Sequence, residues 1–264
     1  MKDYRGKNVL VTGASSGIGE AIALRYAVLG ARLHLAARRA DRLENVCRRC
    51  LESGAEYAGT YTVDFSSEQS VREFAAEISR QEILFDVIVL NAGISQRSLA
   101  LETGLEVDRK IMETDFFGPV CLTVCLADQL RGDRRVSIAV TTSISGLFGF
   151  PLRSGYCAAK HALHGWFESL QLENPNLRVT FLVPGRINTQ ISRSAVLGDG
   201  SSYSKMDPGQ AKGMDVDRCA AKAVHAIDRG RRVQLIGGVE LLMVYIKKYC
   251  PALFFKLAGK VSAT

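Results

Sequence analysis

The chain has 264 residues, with 34 basic against 27 acidic side chains and a formal charge of +7. That length admits one large domain or two small ones, and 47% hydrophobic with 23% charged residues excludes a disordered chain. The basic excess suits an anionic ligand, an anionic membrane surface or nucleic acid. No segment is a dense Lys/Arg block interleaved with aromatics, so no nucleic-acid binding is expected.

Met1 to Lys7 is polar and offers no signal peptide. No apolar run approaches the ~18 residues of a membrane-spanning helix. The longest candidate, Val239 to Ile246, is interrupted by Glu240 and stopped by Lys247 and Lys248. Seven cysteines, an odd number, point to free thiols in a reducing compartment, and a cytoplasmic location is expected. Cys47-x-x-Cys50 lacks a second such pair and sits in a polar helical stretch. It reads as two helix cysteines, and no metal site is expected.

The chain then alternates. Asn8 to Thr12 is a short apolar, β-branched run, hence a buried strand, and Gly17 to Leu29 has helical spacing. Arg32 to Ala37 is a strand, Asp41 to Ser53 a helix, Tyr57 to Val63 a strand and Ser67 to Arg80 a helix. Asp86 to Asn91 is a strongly apolar strand, and Leu101 to Leu130 holds one long or broken helix. Arg135 to Thr142, Ser154 to Glu173 and Arg178 to Val183 read strand, helix, strand. Strands separated by helices imply parallel pairing and right-handed crossovers. The expected fold class is α/β, one doubly wound domain over residues 1–264, with ligands at the carboxyl ends of its strands. From Gln190 to Asp215 the pattern fails in a Ser-, Gly- and Lys-rich stretch, which reads as a substrate lid or as a disordered surface loop.

The first strand runs into Thr12-Gly13-Ala14-Ser15-Ser16-Gly17-Ile18-Gly19. Glycine serves where the chain turns sharply and where backbone must approach a pyrophosphate closely. The following helix points its positive dipole end at the phosphates. Later in the chain come Asn91-Ala92-Gly93 after the fourth strand, Ser143 after the fifth and Tyr156-x3-Lys160 on the next helix. Pro184-Gly185 follows the sixth strand, with Thr189 beyond it. With these motifs, in this order and with thirteen residues from Ser143 to Tyr156, the sequence resembles the short-chain dehydrogenase/reductase family over about residues 5–240. Pro151 to Tyr156, Lys160 to Leu163 and the tail from Leu241 to Pro251 look most like its member 7 branch. The resemblance implies a Rossmann fold with a parallel seven-stranded sheet flanked by helices.

The resemblance also implies roles for these residues. Reducing a ketone takes a hydride on carbon and a proton on oxygen. Tyr156 is the expected proton donor, with an ordinary pKa of ~10. Lys160, one helical turn on, is expected to lower it: a unit charge at about 4 Å and an effective dielectric near 20 is worth roughly three pKa units. Ser143 is expected to hold the substrate oxygen. Asp115 stands where the family usually has Asn and, as a carboxylate, can pair with Lys160 and weaken its pull on Tyr156. His161 and His164 are expected to pack or face solvent.

After the second strand Leu35-Ala36-Ala37-Arg38-Arg39 lacks the acid of an NAD-preferring fold. Arg38, Arg39 and Ser15 suit a 2′-phosphate, so NADP(H) is expected over NAD(H). By resemblance Asp64 contacts adenine, and Ile187 and Thr189 contact the nicotinamide carboxamide. Gly13, Ser16, Gly17, Ile18, Gly19, Asn91, Ala92, Gly93, Tyr156, Lys160, Pro184 and Gly185 complete the expected cofactor set.

Two functions fit. One is an NADP(H)-dependent oxidoreductase acting on a carbonyl or secondary alcohol, with Leu147, Phe148 and Phe150 suggesting a bulky apolar substrate. The other, fed by Asp115, is a weakly active or non-catalytic NADP(H)-binding regulatory protein. A homodimer or homotetramer is expected by family analogy. The apolar, lysine-dotted segment 239–260 reads as packing beside the lid in preference to lying on a membrane.

Overall fold

The computed structural model describes residues 3–259. Met1, Lys2 and the far end of the apolar C-terminal segment, Lys260, lie outside them. Strand β1 (Asn8–Thr12) leads into α1 (Gly17–Val28), β2 (Arg32–Ala37), α2 (Ala40–Glu52), β3 (Tyr57–Thr62), α3 (Glu68–Arg80) and β4 (Val87–Leu90). Helix α4 (Leu105–Met112) continues through a π-helical turn (Glu113–Phe117) into α5 (Gly118–Cys125), followed by α6 (Ala127–Leu130) and β5 (Val136–Thr141). Then come α7 (Ser154–Glu173), β6 (Leu177–Pro184), α8 (Pro208–Ala211), α9 (Val216–Asp228), β7 (Val233–Ile236), α10 (Leu242–Tyr249) and α11 (Pro251–Ala258).

All seven strands pair in parallel, in the order β3-β2-β1-β4-β5-β6-β7. Such a sheet is covered on both faces, so its central strands are apolar on both sides. β4 is buried at every residue, whereas the edge strand β3 is largely exposed. One face packs Tyr26 of α1, Leu43 of α2 and Ala223 of α9; the other packs Phe74 of α3, Leu122 of α5 and Phe167 of α7. The strand order reverses beside β1, where the chain leaves β2 and β3 on one side and β4 begins the other, and this opens a crevice at the carboxyl ends.

The sequence pattern misplaces few boundaries. The stretch from Leu101 to Leu130 is the broken alternative, because the π turn inserts an extra residue per turn near Asp115. Helix α9 and strand β7 escaped the pattern. α9 begins at Asp215, whose carboxylate accepts from the amides of Asp217 and Arg218. Gln190 to Asp215 is irregular apart from α8, yet Ser192, Ala195 and Asp207 in it are buried. Cys47 and Cys50 lie on α2, and all seven cysteines are free thiols. The C-terminal segment packs against the chain that follows β5: Phe254 meets Phe148 edge-on at 5.0 Å. No described helix is long and apolar enough to cross a membrane.

Two histidines are built into the fold as neutral groups. His34 on β2 bonds to Tyr61 Oη and Asn8 Oδ1, each at 3.2 Å, and His164 on α7 stacks on Phe181 at 4.4 Å. Burial depresses both imidazoles from the ordinary 6.5 to about 4. A depressed folded value means stability present above the unfolded pKa and lost as pH falls through the folded one. Urea unfolding is expected to show a loss of stability between about pH 6.5 and 4. His164→Phe, which keeps the stack on Phe181, should flatten that slope, and an unchanged slope would exclude His164 as its source.

Candidate active site

The first crevice wall is the turn between β1 and α1. Gly13 and Gly17 have φ of +64° and +61°, where a side chain is strained. A Cβ on Gly19 would meet the Gly13 carbonyl oxygen at 2.4 Å. The neighbouring strand is tied to this turn: the amides of Asn91 and Ala92 donate to Thr12 Oγ1 at 2.9 and 3.0 Å, and Asn91 Nδ2 donates to Thr12 O at 3.3 Å. Asn91 is therefore a brace between β4 and the loop. Ser16 makes no side-chain cap on α1.

These elements border a groove of about 360 Å³. Ser15, Ser16 and Ile18 line it at the loop, Arg38 and Arg39 after β2, and Ala92 and Gly93 after β4. Pro184, Thr189, Tyr156 and Lys160 close it. Arg39 reaches the loop: its Nη2 donates to Ser15 Oγ at 3.0 Å and to Ser16 Oγ at 2.7 Å. Arg38 also lines the groove but makes no such bond to the serines. Asp64 accepts from the Ser66 amide and hydroxyl at 3.0 and 2.8 Å, and its neighbour Phe65 is the residue on the groove wall. The glycine turn, the uncapped helix start and the absence of an acid after β2 fit a nicotinamide dinucleotide.

The reactive groups meet at the groove's inner end. Ser143 ends the segment after β5; its Oγ accepts from the Ser145 amide at 3.1 Å, so it caps a turn, and donates to Pro184 O at 3.4 Å. Tyr156 and Lys160 share one face of α7, with Nζ 5.6 Å from the ring centre. Lys160 Nζ donates to Thr141 O at 3.1 Å and lies 3.2 Å from Asp115 Oδ2. Asp115 Oδ1 accepts from the Ile94 amide at 2.7 Å, and its side chain is fully buried. The ion pair anticipated from the sequence is thus present, held by the π turn.

Burial is the largest influence on all three ionisable groups. It pushes the Tyr156 phenol above its ordinary value; Lys160 and the Ser143 hydroxyl pull it down and Asp115 pushes it up. The expectation of a phenol near neutrality is corrected on this point, because a neutral phenol loses less on leaving water than a phenolate. Asp115 is raised by burial against the pull of Lys160, and the attraction of Asp115 leaves Lys160 raised despite its burial. His161 Nδ1 is 2.7 Å from Cys157 O, and neither His161 nor His164 reaches these groups by a hydrogen bond.

A second cavity of about 290 Å³ adjoins the first at Tyr156, with Ser143 and Ser145 on its wall. Gly185 and Ile187 border this cavity and not the groove. Phe148, Phe150 and Met243 make its apolar side. The sequence reading missed Arg97, Arg153 and Asp207, which also line it and form ion pairs there. It also missed Gln96, whose Oε1 accepts from the amides of Gly155 and Tyr156 at 2.9 and 3.4 Å. The only sequence signal was a set of polar residues just after Gly93 and just before Tyr156.

Known proteins share this architecture. The family description for short chain dehydrogenases matches residues 7–199. A curated Drosophila melanogaster protein named "Dehydrogenase/reductase SDR family protein 7-like" is 36% identical over 97% of this chain and 80% of its own length. A Xenopus tropicalis "Dehydrogenase/reductase SDR family member 7B" is 36% identical over 94% of this chain and 82% of its own. Among solved structures, an alcohol dehydrogenase from Thermococcus sibiricus, complexed with 5-hydroxy-NADP, is 29% identical with a TM-score of 0.75. It covers 88% of this chain and 97% of its own. A Burkholderia phymatum short chain dehydrogenase/reductase superimposes with a TM-score of 0.82 over 96% of both chains at 22% identity, a likeness of fold. The sheet order, the glycine turn and these matches converge: the chain is an enzyme of the short-chain dehydrogenase/reductase family of nicotinamide-dependent oxidoreductases.

Proposed function

We propose that the chain is an NADP(H)-dependent oxidoreductase that interconverts a bulky carbonyl compound and its secondary alcohol. The observation that carries this reading is Tyr156, which borders both cavities with Lys160 and Ser143 beside it. The groove residues Ser15, Ser16, Ile18, Arg38 and Arg39 would hold a reduced nicotinamide dinucleotide, which would supply the hydride for the carbonyl carbon. Ser143 Oγ donates to the substrate oxygen and orients it. The Tyr156 phenol gives that oxygen its proton, and Lys160 stabilises the phenolate left behind. In the reverse direction the phenolate takes the alcohol proton. Phe148, Phe150 and Met243 support an apolar substrate body. The irregular stretch Gln190 to Asp215 serves as a lid over this cavity. Exposed Phe117 and Val124 on the π turn and α5 support subunit pairing through these helices.

Binding of the cofactor and catalysis separate in this arrangement. Tyr156→Phe is expected to abolish turnover of a carbonyl panel while NADPH affinity, titrated by fluorescence, changes by less than about threefold. Equal loss of binding and turnover would remove the phenol from the chemistry.

NADP(H) preference rests on Arg38 and Arg39 beside Ser15 and on the missing acid. A charged hydrogen bond is worth about 1.5–3 kcal/mol, so NADPH should bind at least about tenfold more tightly than NADH. Arg39→Asp should remove most of that difference. Equal affinities in the parent protein would overturn the preference.

The Asp115–Lys160 contact favours a second reading, a weakly active NADP(H)-binding protein, because it spends part of the ammonium's field on a carboxylate. Asp115→Asn keeps an acceptor for the Ile94 amide and removes the charge that raises the phenol. Its oxidation-direction pH profile is expected to move to lower pH. An unmoved profile with activity retained would show that Asp115 does not tune Tyr156. Turnover by Asp115→Asn together with none by the parent would establish the second reading.

A further inference from the structure

The chain just beyond Gly93 holds both members of the Tyr156–Lys160 pair. The Ile94 amide fixes Asp115, the partner of Lys160, at 2.7 Å. Two residues on, Gln96 is completely buried and reaches the start of α7. Its Oε1 accepts from the Gly155 amide at 2.9 Å and from the Tyr156 amide at 3.4 Å. The first amides of a helix have no partner inside the helix. Arg153 stands at the capping position and makes no side-chain cap there, since a guanidinium carries no acceptor. The capping oxygen comes instead from a residue far back in the chain.

Gln96 is itself held on every side. Its Nε2 donates to Thr103 Oγ1 at 2.9 Å and to Ser98 Oγ at 3.1 Å, with Ser154 Oγ at 3.4 Å. Turning the amide over would set Nε2 against two N–H groups, so one orientation is favoured. Its backbone pairs in parallel with Val196: the Val196 amide donates to Ser95 O at 2.9 Å, and the Arg97 amide donates to Val196 O at 2.8 Å. Val196, Ile94 and Tyr156 pack in one apolar cluster. A Cβ on Gly155 would collide with Asp108 Oδ1 and fall 3.3 Å from Gln96 Oε1, so the approach needs a bare residue just before Tyr156. α7 is 20 residues long and is anchored further along by Leu163 and Phe167 in the core. What the Gln96 oxygen sets is the place of the first turn, which carries the phenol.

We propose that Gln96 is a positioning residue for Tyr156: it fixes the helix turn that aims the phenol at the substrate oxygen. This inference rests on the carbonyl-reducing reading and adds to it a residue that acts through another. Gln96 borders neither the groove nor the substrate cavity, so it acts only through the backbone of Tyr156. Misplacing a reacting group by about 1 Å can cost on the order of a hundredfold in rate. The walls of both cavities keep their own contacts when the Gln96 oxygen is withdrawn, so the loss falls on kcat and leaves binding in place.

The test compares two variants of the full chain that differ in reach. Gln96→Glu keeps an acceptor oxygen at the same distance from the α7 amides, and the facing hydroxyls can turn their protons to its other oxygen. Gln96→Asn keeps the amide and draws it back by one methylene. NADPH consumption with a carbonyl panel gives kcat and KM, and fluorescence titration gives NADPH affinity. Gln96→Asn is expected to lose at least about tenfold in kcat, with KM and NADPH affinity within about threefold of the parent. Gln96→Glu is expected to keep kcat within about threefold of the parent. If Gln96→Asn does not fold, Gln96→Met, which fills the same space without an acceptor oxygen, is measured in its place with the same expectation. In folded protein, an unaltered kcat in the variant lacking the oxygen, a loss shared equally by NADPH affinity, or a Gln96→Glu as slow as Gln96→Asn would each overturn the positioning role and leave the carbonyl reductase standing. Parent protein that binds NADPH and turns over no member of the panel would overturn the carbonyl-reducing reading, and the positioning role with it.

Discussion

One ammonium group, Lys160 Nζ, has to be kept charged out of water, and the inner end of the site is arranged around that need. Its neighbours come from three separate places: the last residue of β5 through Thr141 O, the π turn through Asp115, and the first turn of α7 through the Tyr156 ring. Burial alone lowers the ammonium's pKa, and the Asp115 carboxylate offsets this. The same carboxylate accepts the Ile94 amide just beyond the Asn91-Ala92-Gly93 turn, so charge, helix and cofactor loop are joined at one residue. Asp115 lies within the π turn.

Space around that residue is as constrained as charge. A Cβ on Gly93 would lie 2.8 Å from Asp115 Oδ2, and one on Gly118 would lie 2.3 Å from the Phe65 carbonyl oxygen. The carboxylate can sit between the loop and α7 only because the chain is bare at both points. An Asn in place of Asp115 fits the same space. The two residues differ in what they do to the ammonium: an amide leaves its whole field to the phenol, whereas a carboxylate shares it.

The groove side of the candidate site could be assembled from the sequence because its parts are local. Gly13, Gly17 and Gly19 belong to a single turn and Tyr156 and Lys160 to a single helix face, so the sequence could group them, and the family resemblance supplied the roles expected of them. The strands and helices around the crevice were legible for the same reason, since each is a run with its own period. Which of two adjacent arginines faces the loop was not, because that depends on how the chain leaves β2, and it is Arg39 that meets Ser15. The state of the phenol was not legible either. Spacing gives the neighbour that lowers it but not the burial that outweighs that neighbour. The substrate half was hidden more deeply. Arg97 and Asp207 stand 110 residues apart, and nothing in either neighbourhood announces the other. β7 is only four residues long and half exposed at its start, too little for a pattern.

The two cavities divide the charge around Tyr156 unequally. On the groove side the nearest cation is matched by a carboxylate 3.2 Å away, so the pair acts at the phenol as a dipole whose field falls quickly with distance. On the substrate side Arg97 and Arg153 both pair with the Asp207 carboxylate. The phenol and the guanidinium do sense each other: ionising Tyr156 would raise Arg153. The field at the phenol is thus set on the groove side, where Lys160 lowers it and Asp115 raises it, both against the larger effect of burial.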